Sequence, residues 1–177
     1  YPEYVYTQRE KEAATYAVKA ALQRTPTFDH LDEGWKSSTK MHFGGVAQVE
    51  YTAMLAELKM ARFGLNAAWR NMAVYGQLDE LRHNALTTFF GHALVAKDPQ
   101  FDWTQKTYST NDWVPIALRT LFDGFMTTSN AVDCALMLPL TFETGFTNLQ
   151  FVALSADALE AGDLNFASMI SSIQTDE

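Results

Sequence analysis

Asp79-Glu80-Leu81-Arg82-His83 stands between two uncharged runs, Asn71 to Leu78 and Asn84 to Ala96, and its reading decides the fold. On a helix Glu80 and His83, three residues apart, leave from the same face. Glu50 is the only charged residue between His42 and Glu57, thirty residues before Glu80. Two antiparallel helices joined by a short turn bring those positions level. Glu143 is the only charge between Asp133 and Asp157, and Glu177 follows it by thirty-four residues after the uncharged run Leu164 to Thr175. An ionised carboxylate buried alone is too costly to keep. Four such sites with far fewer buried bases indicate that metal supplies the missing positive charge.

The rest of the pattern is helical. Helices are predicted over about Glu3–Gln23, Ser37–Asn66, Arg70–Ala96, Asp112–Thr127 and Ala131–Leu159, with a sixth beginning at Asp163. Pro26 marks a loop, Asn111 or Asp112 a cap, and Pro139 a bend. Gln100 to Asn111, carrying Trp103 and Tyr108, reads as a connector, and no alternating strand pattern or repeat occurs. The expected fold class is all-α, a single helical domain over residues 1–177 of the ferritin-like bundle kind. A hydrophobic content of 47 % excludes a disordered class. The net charge of −8 argues against nucleic acid and anionic membranes. The apolar stretch around Glu143 carries too many polar residues for a membrane span. Lone Cys134 reads as a small buried hydrophobe, and a single thiol fits a reducing cytoplasm. The opening at Tyr1 and the ending at Gln174-Thr175-Asp176-Glu177 read as cuts within a longer protein.

Glu-x-x-His joined by a Glu from a neighbouring helix is the half-site of a di-iron carboxylate bundle. The repeat of the arrangement predicts a histidine at the third position after Glu177. The runs Asp79-Glu80-Leu81-Arg82-His83, Phe142-Glu143-Thr144-Gly145-Phe146-Thr147-Asn148 and Ser171-Ser172-Ile173-Gln174-Thr175-Asp176-Glu177 resemble the large (α) subunit of bacterial multicomponent di-iron monooxygenases. The likeness is strongest to the phenol hydroxylases and also covers Tyr4-Val5-Tyr6-Thr7-Gln8-Arg9-Glu10 and Met60-Ala61-Arg62-Phe63.

The resemblance implies two non-haem irons. Glu50, Glu80 and His83 would hold the first, with Glu80 bridging, and Glu143, Glu177 and the missing histidine the second. Asp79 and Asp176 match aspartates that hydrogen-bond the ligand histidines, and Arg82 would offset part of the acidic cluster. Surface ion pairing is the plain alternative for these. Thr147 matches the family's active-site threonine, although a helical threonine also bonds back to its own backbone. Asn148 and Gln174 match polar positions near the same face. Helical spacing puts Val46 and Ala53 within about a turn of Glu50, Phe146 beside Glu143, and Phe151 two turns on. The resemblance adds Phe122 and Phe142 as substrate-pocket walls, with core packing the alternative for each aromatic. His30, His42 and His92 receive no metal assignment, and Trp35, Trp69, Trp103 and Trp113 read as packing or interface residues.

The implied activity is O₂-dependent hydroxylation of an aromatic ring, phenol to catechol, or a toluene or benzene monooxygenation of the same kind. NADH, FAD and a 2Fe-2S cluster would act only through a separate reductase, since no dinucleotide fingerprint or cysteine cluster occurs here. Further hydroxylase subunits and an effector protein are implied as partners, and the 177 residues alone are expected to be inactive. Two other classes stay open: a different di-iron enzyme, such as an iron oxidase or fatty-acyl desaturase, and a non-catalytic helical scaffold subunit.

Overall fold

The computed structural model describes residues 1–102 and 109–176, so Trp103, Tyr108 and Glu177 lie outside the described residues. Among the described residues, seven α-helices and one π-helical segment carry most of the chain, and no strand occurs. They are α1 (Pro2–Leu22), α2 (Glu33–Phe63), α3 (Ala67–Val95), α4 (Trp113–Thr127), α5 (Ala131–Ala135), the π segment (Leu136–Thr147), α6 (Asn148–Ala161) and α7 (Leu164–Gln174). Short 3-10 turns cover Thr27–His30 and Pro99–Phe101.

Polar residues set the helix starts by accepting otherwise orphaned backbone N–H groups. Asn66 accepts from Trp69 N, Asp112 from Val114 N, Asn130 from Asp133 N and Asp163 from Phe166 N. Asp32 Oδ1 accepts from Gly34 N and Trp35 N. It therefore starts α2 at Glu33, four residues earlier than the apolar pattern predicts. Gly162 adopts a left-handed φ of 78° and ends α6, where Asp163 N donates to Ala158 O at 2.8 Å.

Pro139 does not simply bend one α-helix, as the sequence predicts. The chain around it is π-helical from Leu136 to Thr147. Proline lacks an N–H and crowds the preceding turn, and widening the turn to five-residue spacing is one way to absorb that. Thr141 Oγ1 donates to Leu136 O, five residues back, at 2.6 Å.

The chain divides into two compact units. One comprises Tyr1–Lys36 and the residues from Thr144 onward. There α6 and α7 form an antiparallel hairpin, with Ser155 and Ser171 hydroxyls 3.0 Å apart and Gln174 Nε2 donating to Asn148 Oδ1 at 2.8 Å. Helix α1 packs on α7, and Trp35 donates its indole N–H to Asp163 while meeting Phe166 edge to face.

The second unit is Ser37–Glu143. Its α2 and α3 run antiparallel, and the contacts record the register. A Cβ on Gly91 would meet Phe43 at 3.4 Å, Asn84 Nδ2 donates to Ala47 O, His83 faces Glu50, and Gly76 faces Glu57. Each step forward along α2 is matched by a step back along α3. Ala53, Ala56 and Met60 of α2 pack with Ala73, Phe122, Phe125, Cys134, Leu138 and Phe142 as the core of this unit. Lys59 Nζ donates to the carbonyls of Phe125, Met126 and Thr128 at 2.8, 3.1 and 2.9 Å, closing the C-terminal end of α4.

Candidate metal centre

The α2–α3 register sets Glu50 against Glu80 and His83. All three are buried, with 3 %, 5 % and 1 % of their surface exposed. Each offers one ligand atom, and those atoms lie within 4.8 Å of one another. His83 Nδ1 is 3.6 Å from Glu50 Oε2 and 3.9 Å from Glu80 Oε2, beyond hydrogen-bond length. Glu80 Oε2 is shielded from solvent without a hydrogen bond among the described residues. A buried carboxylate oxygen left in this way is costly unless a cation meets it. Two hard oxygen donors and one imidazole suit iron, with room for exogenous ligands. The residues present therefore fit the metal that their pattern implies.

The charge states agree. Burial pushes the Glu80 carboxyl well above the usual carboxylate range, and Glu50 adds to the rise while His83 opposes it. Burial acts to raise Glu50 too, but His83, Glu80 and His42 together outweigh it and hold the group below its ordinary value. Glu143, on the π segment, is partly buried and pushed up to about 8 by burial, by Glu57 and by Glu50, with His83 acting against them.

The other expected site residues fall as follows. Arg82 is buried and Asp79 half-buried on α3. Asp176 accepts from Lys11 Nζ and Gln8 Nε2, both on α1. Thr147 is buried, and its Oγ1 makes no hydrogen bond among the described residues, so it does not bond back to its own helix. Val46, Ala53, Phe122 and Phe142 are buried in the same unit as the carboxylates, with Phe122 and Phe142 rings 5.2 Å apart, edge to face. Phe151 is buried on α6, whereas Phe146 is 46 % exposed and so is not an enclosed wall here.

His42, given no metal assignment, is half-buried on α2, and burial pushes its ring down to about 4, against the pull of Glu50. One residue escaped the sequence reading. Glu57 is buried on α2, seven residues after Glu50 on the same face, and that heptad spacing was the available signal.

The family described as methane/phenol/alkene hydroxylase matches the chain over residues 1–177. The chain is 45 % identical over 175 residues to the α subunit of the alkene monooxygenase oxygenase component of Xanthobacter autotrophicus, covering 99 % of this chain and 35 % of that protein. It is 25 % identical to the large subunit of the propane 2-monooxygenase hydroxylase of Mycolicibacterium smegmatis, covering 98 % of this chain and 32 % of that one. The methane monooxygenase component A α chain of Methylococcus capsulatus is 26 % identical, over 99 % of this chain and 34 % of its own. The chain thus spans about a third of the length of these curated relatives. In fold it matches the hydroxylase of toluene 4-monooxygenase, solved with toluene in the resting active site. That match has a TM-score of 0.90 at 16 % identity and covers 99 % of this chain and 59 % of that chain.

Proposed function

Because the chain belongs to the methane/phenol/alkene hydroxylase family, we propose that it is the metal-carrying core of the oxygenase component of a multicomponent di-iron monooxygenase. The observation that carries this reading is the buried Glu50–Glu80–His83 trio, three ligand-type side chains with too little positive charge among them. Glu50, Glu80 and His83 would hold one iron, and Glu143 and Glu177 are the proposed carboxylates for a second. Bound there, iron would supply reductive activation of O₂, with one oxygen atom going to an organic substrate and the other to water. Asp79, Arg82 and Asp176 fix the orientation and charge of the ligands. The Thr147 hydroxyl, buried and uncommitted, is a proton-relay or hydrogen-bonding group for the oxygen chemistry.

The substrate is an unsaturated hydrocarbon. Val46, Ala53, Phe122 and Phe142, apolar and buried in the same unit as the carboxylates, are the proposed walls that would exclude water and hold a C=C bond without polar selection. The 45 % identity to an alkene monooxygenase α subunit favours a small alkene, giving an epoxide. Aromatic hydroxylation, phenol to catechol, is the second reading, favoured by the edge-to-face group Phe122, Phe125 and Phe142. Both reactions place oxygen on π electrons. Electrons come from NADH through a separate flavin and 2Fe-2S reductase, with an effector protein and further hydroxylase subunits completing a cytoplasmic system. Among the described residues no helix is long and apolar enough to cross a membrane.

The test is turnover of the intact, reconstituted oxygenase under ¹⁸O₂ with propene, toluene and phenol in separate runs. One labelled oxygen atom per product is expected, with epoxide formed fastest. Fastest conversion of phenol would favour the aromatic reading. Iron-loaded oxygenase that consumes O₂ without forming product from any of the three would overturn the proposal.

A further inference from the structure

Asn84 directly follows the proposed ligand His83 on α3 and is half-buried. Its Nδ2 donates across the helix pair to the backbone carbonyl of Ala47 on α2. Only the amino end of a carboxamide can meet a carbonyl oxygen, so the chemistry fixes which way the group points. Ala47 stands three residues before Glu50, about 4.5 Å along the helix. The cross-helix bond therefore lies one turn from the level at which Glu50 Oε2 faces His83 Nδ1 at 3.6 Å. On α3 the same turn is held a second time: the Thr87 hydroxyl, 1 % exposed, donates to His83 O at 2.9 Å, with Asn84 O at 3.1 Å. Apolar packing such as Phe43 against Gly91 also carries the helix register. Such packing is non-directional, whereas a hydrogen bond weakens steeply off its line.

We propose that Asn84 is a positioning residue whose hydrogen bond to the Ala47 carbonyl fixes the level of α2 against α3, and so the spacing of Glu50 from His83. The inference rests on the reading of Glu50, Glu80 and His83 as an iron site. Side chains that share one ion from two helices must be held to within about 0.5 Å. The Ala47 carbonyl also belongs to the hydrogen-bond ladder of its own helix. Removing the Asn84 amide therefore orphans no backbone group and leaves the fold in place. What is lost is one neutral hydrogen bond, worth roughly fivefold in the ratio of the level register to displaced ones. Apparent iron affinity falls with the population of the level register, by up to the same factor.

The experiment is an anaerobic ferrous titration of the intact, metal-free oxygenase, with urea unfolding in parallel and electron paramagnetic resonance of the loaded protein. Asn84→Leu keeps the size and removes the donor, Asn84→Ala removes the whole group, and Asn84→Gln keeps a carboxamide donor on a longer arm. The Leu and Ala variants are expected to bind iron roughly fivefold more weakly, with broadened resonance lines. Asn84→Gln should stay within about twofold of wild type. Unchanged iron affinity in both donor-free variants would overturn the proposal, as would an equal loss in Asn84→Gln. So would donor-free variants whose unfolding transition collapses together with their iron, which would make Asn84 a requirement of folding. Wild-type oxygenase that binds no iron would instead remove the functional reading beneath it.

Discussion

Loading iron into the metal-free oxygenase should release protons, and the number released should fall steeply between pH 7 and pH 9. Glu143 is pushed up to about 8. A group titrating there is roughly nine-tenths protonated at pH 7 and roughly one-tenth at pH 9. A carboxylate must lose its proton to ligate a metal. Glu143 therefore contributes about 0.9 proton at pH 7 and about 0.1 at pH 9. Glu80, also raised, can only add to the release. The assay is anaerobic ferrous titration in weak buffer with a pH indicator. Glu143→Gln should release about 0.9 proton fewer at pH 7. The same shift acts on stability. The folded carboxyl titrates above its unfolded value of 4.5, so the metal-free protein has its full contribution below pH 4.5 and loses it as pH rises through about 8. The loss is up to about 1.4 kcal/mol per pH unit, lessened by the partial exposure of the side chain. Proton release that is flat between pH 7 and 9, or equal in Glu143→Gln, would refute the reasoning.

Three further outcomes concern the scaffold of the intact oxygenase. Lys59→Met leaves three carbonyls at the end of α4 without their cation. It should cost about 2–3 kcal/mol, read as a lower urea midpoint, and an unchanged midpoint would count against the cap. Phe122→Ala empties a fully enclosed site between Phe125 and Phe142. A loss of about 3–5 kcal/mol is expected in thermal or chemical unfolding. Gly162→Ala forces a side chain into a φ of 78°, and a loss of about 1 kcal/mol should appear in the same unfolding assay.

Much of the architecture was legible in the residues because the signals are local. Asp112, one of the two expected caps, does start a helix, whereas Asn66, expected to end the second helix, instead caps the third. Glu50, Glu80 and His83 stood out because each interrupts an apolar stretch, and the structure brings them together. Other features are properties of packing. Glu57 ends a charge-free run instead of interrupting one, so only its heptad spacing from Glu50 hinted at the burial that Gly76, facing it, permits. The π segment depends on how Leu136–Thr147 relieves Pro139, and an apolar pattern does not distinguish five-residue from four-residue turns. The early start of α2 hinges on the Asp32 side chain, because the residues it caps are too polar to show a stripe. The substrate is the least legible element. Buried apolar residues such as Val46, Ala53 and Phe122 carry size information but no polar code, so alkene and phenol leave similar marks on a sequence.

Elemental analysis of the intact oxygenase beside its Glu80→Ala variant asks why acidic side chains lie inside these helices. Two irons per large subunit in the wild type and fewer than one in the variant are predicted. An oxygenase without iron, or a variant that keeps its full complement, would contradict the account.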